Sequence, residues 1–277
     1  MSQAAAANSP ATARDAVASN GAIIAFRGVC KRFGTLEVLR DIDIELRRGE
    51  TTVIIGASGA GKSVVLKHIV RLLRPDRGEV FFKGRRIDDL PERDLVELRK
   101  HFGFLFQMGA LFDSLTVAEN IAFPVREHTR RGKKEVADLV REKLAMVGLD
   151  GTQDKKPAQL SGGQRKRVAL ARAIALDPEV ILYDEPTTGL DPIRSDVINE
   201  LIRKLQQELH VTSVVVTHDM ASVRKVGDRV IMLHEGRFIF DGPPRELEIS
   251  KDPHVARFVQ GRASESDLHG LNLKGMP

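Results

Sequence analysis

The chain has 277 residues, of which 42% are hydrophobic and 29% charged, and its formal net charge is +5. This length fits one large domain, or one domain with an inserted lobe. The single cysteine, Cys30, excludes an intramolecular disulfide. No apolar run approaches the roughly 18 to 20 residues of a membrane span, which argues against a pore. The cationic surplus indicates either a solvated surface or contact with an anionic membrane or nucleic acid.

Apolar periodicity predicts alternating strands and helices. Strands are predicted at 23–26, 41–46, 51–55, 78–82, 103–106, 180–183, 213–216, 230–233 and 238–240. Helices are predicted at 64–73, 92–100, 117–125, 134–147 and 162–175. This alternation predicts an α/β fold with a parallel sheet. The mainly helical stretch, about 108–176, is predicted to be a lobe inserted into that fold.

The predicted domain organisation has three parts. Residues 1–20 are rich in Ala, Ser and Asn and lack the pattern of a secretory signal, so we expect a disordered tail there. One domain is expected over 21–250. A short tail with a weak helix is expected over 251–277.

A glycine-rich loop follows the β-branched run 51–55. Glycines let successive backbone N–H groups face phosphate oxygens, and the next helix adds partial positive charge at its N-terminus. In this pattern Lys62 contacts the β- and γ-phosphates and the Ser63 hydroxyl binds Mg²⁺. The loop therefore predicts binding of ATP or GTP. Its residues fit G-x-x-x-x-G-K-[ST]: Gly56, Ala57, Ser58, Gly59, Ala60, Gly61, Lys62 and Ser63.

Two adjacent carboxylates, Asp184 and Glu185, follow the apolar run 180–183. A buried strand would place them at the carboxyl edge of the sheet, where open α/β sheets bind ligands. We predict that Asp184 holds Mg²⁺ through water and that Glu185 polarises the water that attacks the γ-phosphate.

The run Leu-Ser-Gly-Gly-Gln at 160–164 resembles the signature of ABC ATPases. Further motifs resemble that family in its own order, over about 22–243. Phe33 resembles the aromatic residue that stacks on adenine, and Gln107 resembles the Q-loop glutamine. Gly189-Leu190-Asp191 resembles the D-loop, and His218 the switch histidine. The resemblance implies a P-loop NTPase (RecA-like) core with an N-terminal antiparallel β subdomain and an inserted α-helical lobe.

The resemblance also implies an ATPase that uses ATP and Mg²⁺. Two copies of the chain would pack head to tail around two ATP molecules. The signature of one copy would then contact the nucleotide of the other. Gln107 would also reach Mg²⁺, and His218 would act beside Glu185. The implied nucleotide contacts outside the loop are Phe33, Val64, Gln107, Ser161, Gly162, Gly163, Gln164 and Asp191.

Several stretches are typical of one branch of the family. Val64 stands where most members have threonine, and 106–117, 119–129 and 183–193 resemble the ATPases of Mla-type phospholipid transport systems, which work with MCE-domain proteins. This resemblance implies a permease and an MCE-domain lipid-binding protein as partners, no nucleic acid, and a place on the cytoplasmic face of the inner membrane.

Two alternatives stay open. One is the ATPase of a small-solute importer, for example for amino acids. The other is a soluble ABC ATPase without a transport role. The stretch between Gln107 and Ser161 has no sustained heptads, which argues against chromosome-type members of that second class.

Two features after Gln107 each have two interpretations. An apolar patch either receives a short helix of a permease or belongs to the core of the lobe; it consists of Ala110, Leu111 and Phe112. A basic cluster either lies near anionic headgroups or is a solvated loop and helix start; it consists of Arg126, Arg130, Arg131, Lys133 and Lys134.

Overall fold

The computed structural model describes residues 21–263. The predicted tail at 1–20, and 264–277 of the predicted C-terminal tail, lie outside this range. The strands are β1 (Ala22–Phe33), β2 (Leu36–Arg47), β3 (Thr51–Ile55), β4 (Arg77–Phe82), β5 (Arg85–Arg86), β6 (Phe102–Leu105), β7 (Val180–Asp184), β8 (Thr212–Val216), β9 (Arg229–His234) and β10 (Arg237–Gly242). The helices are α1 (Lys62–Ile69), α2 (Glu92–Lys100), α3 (Val117–His128), α4 (Lys133–Met146), α5 (Gly162–Ala173), α6 (Pro192–Leu209), α7 (Met220–Val226), α8 (Pro244–Glu248) and α9 (Pro253–Gln260), with a 3-10 turn at Pro157–Gln159.

The larger sheet has the strand order β10-β9-β3-β8-β7-β6. All of its neighbours pair in parallel except β10, which is antiparallel to β9. β3, β7 and β8 are buried along their whole length, which explains their short, continuous runs of mostly apolar and β-branched residues. Because parallel strands end at one edge, the segments that follow Ile55, Leu105, Asp184 and Val216 lie together there.

The smaller sheet is antiparallel, with the order β2-β1-β4-β5. It shares a buried apolar core with α1 and one face of the larger sheet, to which Phe26, Leu66 and Leu182 contribute. The expected N-terminal antiparallel β subdomain is therefore confirmed.

Helices α3, α4 and α5 lie between β6 and β7 in the chain and form the inserted helical lobe. Ile121, Leu144 and Val168 share its core. The lobe packs tightly on the larger sheet through α5, because a Cβ on Gly103 of β6 would lie 2.6 Å from the Ala173 carbonyl oxygen. The predicted fold class, an ABC-type α/β fold with an inserted helical lobe, is confirmed.

Three predicted elements were wrong in extent. The strands predicted at 23–26 and 41–46 are parts of the longer β1 and β2. Register shifts between Phe26 and Val29 break the sequence alternation there. The helix predicted to reach residue 73 ends at Ile69. Beyond it, Arg71 has a left-handed backbone (φ 55°) and its Nε donates to the Asp88 carbonyl oxygen at 3.0 Å. Among residues 21–263, no helix is both long and apolar enough to span a membrane.

Candidate active site

The loop between β3 and α1 requires glycine at two positions. Gly56 has φ 153°, and a Cβ there would lie 2.3 Å from the Leu233 carbonyl oxygen. Gly61 has φ 103°, and a Cβ there would lie 2.7 Å from Val38 Cγ1. Side chains would therefore clash with the surrounding strands. The loop can curl as predicted only because these two residues lack Cβ atoms.

Lys62 is folded back over this loop. Its Nζ donates to the carbonyl oxygens of Gly56 (2.8 Å) and Ala57 (3.0 Å). It also lies 3.9 Å from Glu185 Oε1. Burial lowers the pKa of Lys62, while the carboxylates of Glu185 and Asp184 oppose that shift. The ammonium group is thus held in the cleft by two main-chain carbonyl groups and lies near a carboxylate.

Ser63 and Asp184 meet across the sheet edge. Ser63 Oγ donates to Asp184 Oδ1 at 2.8 Å. Burial raises the pKa of Asp184, the Ser63 hydrogen bond opposes that shift, and the neighbouring Glu185 carboxylate adds to it. A half-buried hydroxyl and a buried carboxylate at this distance offer hard oxygen ligands to a cation.

Glu185 has a left-handed backbone, with φ 50°. Its N–H donates to the Val216 carbonyl oxygen at 2.9 Å, which ties the end of β7 to β8. Its carboxylate lies 2.9 Å from His218 Nδ1 and accepts from Thr188 Oγ1 at 3.1 Å. A non-glycine residue in this conformation carries local strain, which surrounding contacts must hold in place. Here those contacts aim the carboxylate into the cleft.

A cleft of about 390 Å³ brings half of the predicted nucleotide residues together. Phe33, Val64 and Gln107 border it beside the loop, and Glu185 closes it. Ala57 and Ala60 belong to the same loop, where the Ala60 N–H donates to the Ala57 carbonyl oxygen. The lining residues are Phe33, Val38, Ser58, Gly59, Gly61, Lys62, Ser63, Val64, Gln107 and Glu185.

The signature lies apart from that cleft, at the start of α5. Ser161 Oγ accepts from the Gln164 N–H, and Gln164 Oε1 accepts from the Ser161 N–H at 2.9 Å, so the two form a capping box. Gly162 and Gly163 pack near Leu190 and Arg194 of the same chain. Asp191 caps α6 by accepting from the Arg194 N–H at 3.0 Å.

Sequence reasoning missed Lys166 and Arg172, which α5 directs at the sheet edge. Lys166 Nζ donates to the carbonyl oxygens of Glu185 (3.2 Å) and Pro186 (2.7 Å). Burial lowers the pKa of Lys166 to about 8. Arg172 donates to the carbonyl oxygens of Gly109 (3.0 Å) and Ala110 (2.9 Å), just after Gln107. From the sequence alone, both residues are typical of the charged face of an amphipathic helix.

Beside Gln107 lies an apolar groove of about 330 Å³ between the larger sheet and the lobe. Phe112 lies against Phe123 with ring centroids 4.8 Å apart, and both are partly exposed. The predicted patch is only partly right, because Leu111 packs against the core of the lobe. The groove is lined by Phe102, Gly103, Phe104, Phe106, Ala110, Phe112, Phe123, Pro124, Arg172, Ala173 and Leu176.

A strand, a glycine loop and two carboxylates at one sheet edge define a phosphate-loop NTPase. The inserted lobe with its capped signature is the feature that the ABC ATPases share. The model of the family described as ABC transporter matches residues 39–188. The chain belongs to this family, whose members bind and hydrolyse ATP.

The alignments with known relatives cover most of the chain. The "Probable ribonucleotide transport ATP-binding protein mkl" of Mycobacterium leprae is 43% identical over 242 residues, 87% of this chain and 70% of that protein. The "Intermembrane phospholipid transport system ATP-binding protein MlaF" of Haemophilus influenzae is 40% identical over 244 residues, 88% of this chain and 92% of that protein. A solved dimeric ATP-binding cassette, in a post-hydrolysis state bound to ADP and phosphate, has a TM-score of 0.74 and 36% identity, and the match covers 80% of this chain and 99% of that one.

Proposed function

We propose that the chain is the ATP-hydrolysing subunit of a membrane transporter that moves phospholipid across the bacterial envelope, together with a permease and an MCE-domain protein. The observation that carries the proposal is that the Glu185 carboxylate lies 3.9 Å from Lys62 Nζ and 2.9 Å from His218 Nδ1. Its lipid part is supported by the 40% identity to the phospholipid transport ATPase over 92% of that protein. The permease would hold the chain on the cytoplasmic face of the inner membrane.

The cleft suits ATP with its base at Phe33 and its phosphates on the glycine loop. Phe33 ends β1 with 45% of its surface exposed, and a base stacked on it would contribute about 1–3 kcal/mol. Lys62 would exchange the carbonyl oxygens of Gly56 and Ala57 for phosphate oxygens. Val64 borders the same space.

The oxygens of Ser63, Asp184 and Gln107 suit Mg²⁺, which takes hard oxygen ligands in octahedral geometry. Ser63 and Gln107 would bind the ion directly and Asp184 through a water molecule, which leaves room for phosphate oxygens. When bound, Mg²⁺ neutralises charge on the β- and γ-phosphates. The pairing of Ser63 with Asp184 keeps both groups turned toward this position.

Glu185 is the general base of the proposed reaction. Thr188 and His218 fix its carboxylate, which accepts a proton from the attacking water. His218 would also contact the γ-phosphate. Lys62 stabilises the negative charge that develops on the phosphate oxygens.

The cleft becomes complete when a second copy supplies its signature. The start of α5 presents N–H groups and a positive dipole end to an anion. In a head-to-tail pair, Ser161, Gly162, Gly163 and Gln164 of one copy would contact the ATP held by the other, with Asp191 beside them. The dimeric state of the related cassette supports this arrangement.

The groove beside Gln107 is proposed to receive a short helix of the permease. Its wall of phenylalanines offers apolar surface to such a helix. Arg172 links the groove to the segment that follows Gln107. A helix bound in the groove would therefore affect the position of Gln107, which borders the cleft.

The cargo is tested by reconstituting the chain with its permease and MCE-domain partner in vesicles. Fluorescent phospholipid and labelled ribonucleotide are offered in parallel, because the names of the two relatives differ on cargo. We expect ATP-dependent movement of the phospholipid only, and none with Glu185→Gln. Movement of the ribonucleotide alone would support a small-solute transporter instead.

A further inference from the structure

The connection between α3 and α4 carries a dense group of unpaired cations, here called the basic surface: Arg126, Arg130, Arg131, Lys133 and Lys134. All five are exposed. Within residues 21–263, none of the five forms an ion pair. Among the nearby carboxylates, Glu135 accepts from the Gly132 N–H at 2.6 Å and caps α4, Glu127 is exposed, and Asp138 pairs with Arg141.

Arg126 lies in the last turn of α3, where the helix dipole favours a cation, but helix stability does not explain the two lysines of the basic surface. Lys133 and Lys134 begin α4. The N-terminus of a helix carries partial positive charge, so acidic residues are favoured in the first turn and basic residues are not. Two lysines there oppose the dipole, and none of the carboxylates that the structure describes pairs with them. A contact outside the chain accounts for their placement better than folding does.

The position of the basic surface suggests what it meets. α3 begins beside the segment that leads to the signature, since the Val117 N–H donates to the Lys155 carbonyl oxygen at 2.8 Å. Arg126 lies near the other end of α3, so the basic surface is at the end of this helix that is away from the signature. One turn before Arg126, Phe123 and Pro124 line the apolar groove. Arg126 therefore lies one helical turn beyond the rim of the groove, and the other four cations follow it in the chain.

We propose that the basic surface binds the anionic phospholipid headgroups of the membrane in which the permease sits. This inference rests on the proposed function, because the permease in the groove is what turns this rim toward a bilayer. Long, flexible, unpaired cations suit a fluid layer of phosphates, which does not require one fixed geometry. An acidic protein surface would instead favour ordered, partly buried pairs.

The test measures binding of the full chain to vesicles of phosphatidylcholine, with and without phosphatidylglycerol. We expect binding to the anionic vesicles only, weakening as salt is raised. A variant with Arg130→Gln, Arg131→Gln, Lys133→Gln and Lys134→Gln should bind them at least about 100-fold more weakly, at about fivefold per cation. Its melting temperature should stay near that of the parent, because these side chains make no ion pair.

The matched control removes four exposed cations elsewhere: Arg203→Gln, Arg237→Gln, Arg245→Gln and Lys251→Gln. It should keep most of the vesicle binding. Equal losses in the two variants would overturn the proposal, because net charge alone would then explain binding. The basic-surface variant could also bind vesicles as the parent does but assemble more weakly onto the permease in phosphatidylcholine. The surface would then bind the permease protein, and this result too would overturn the proposal. Vesicle binding uses neither ATP nor cargo, so its outcome is separate from failure of the transport proposal.

Discussion

Lys166 of the helical lobe donates through Nζ to the main-chain carbonyl oxygen of Glu185, at 3.2 Å. The bond joins the helix that carries the signature to the left-handed residue at the end of β7. Movement of the lobe is thereby linked to the backbone that aims the Glu185 carboxylate. Lys166 is a positioning residue in this view, since it touches main-chain carbonyls and not the cleft.

Lys166→Met should lower turnover while leaving ATP affinity unchanged, because the carboxylate of Glu185 loses its fixed backbone. Two buried carbonyl groups would also lose their donor, which costs about 1–3 kcal/mol of unfolding free energy. Because burial lowers the pKa of Lys166 to about 8 from 10.5, the unfolded chain binds more protons between these values. The parent should therefore gain stability relative to Lys166→Met as pH rises through 8 toward 10.5. Denaturant titrations across this pH range measure the difference in unfolding free energy between the parent and Lys166→Met. A difference that grows with pH is expected, and a constant difference would contradict the prediction.

Glu185→Gln should bind ATP normally and reduce turnover at least about 100-fold, the usual contribution of a general base. The amide can keep the contacts with Thr188 and His218 but cannot take a proton. The variant should also accumulate as an ATP-bound dimer. The three results are measured by nucleotide titration, steady-state ATP hydrolysis and size-exclusion chromatography. Glu127→Gln, at an exposed position of α3, is the control. Ordinary hydrolysis by Glu185→Gln would assign the proton transfer to another group.

The sequence predicts the groups of this site better than the contacts that hold them. Lys62 and Ser63 follow from a local motif, because a glycine loop before a helix leaves little freedom for their placement. The left-handed backbone of Glu185 and the hydrogen bonds of Lys166 both involve carbonyl groups of residues that are distant in sequence. A local sequence pattern cannot predict such contacts. The end of α1 at Ile69 was mispredicted for the same reason, since Arg71 turns inward to bond the Asp88 carbonyl oxygen.

Lys62→Ala should weaken ATP binding by about tenfold or more, the value of one charge-assisted hydrogen bond. The folded chain should tolerate the change, because the ammonium donates its hydrogen bonds to carbonyl groups of its own loop, and Glu185, 3.9 Å away, keeps its contacts with Thr188 and His218. Fluorescent-nucleotide titration measures the dissociation constant. Lys204→Ala, on the exposed face of α6, should leave it unchanged. An equal dissociation constant in parent and Lys62→Ala would remove the loop from the nucleotide site.

Arg172→Ala should reduce the stimulation of ATP hydrolysis by the permease by about fivefold or more, within the usual range of coupling between sites. The segment 109–110 would lose both guanidinium bonds, so occupation of the groove would no longer constrain Gln107. Hydrolysis by the chain alone and its ATP affinity should change little. Arg203→Ala serves as the exposed control. If stimulation survives in full, Arg172 has only a structural role.

A shared site makes a prediction about mixtures of two inactive chains. Ser161→Arg should block the signature, and Lys62→Ala should block the loop, so each variant alone hydrolyses little ATP. In a head-to-tail pair of the two variants, one cleft carries both defects and the other carries none. An equal mixture should therefore regain about a quarter of the parent rate, since half of the pairs are mixed and half of their sites are intact. A site confined to one chain would give no recovery at any ratio, because each chain would keep its own defect.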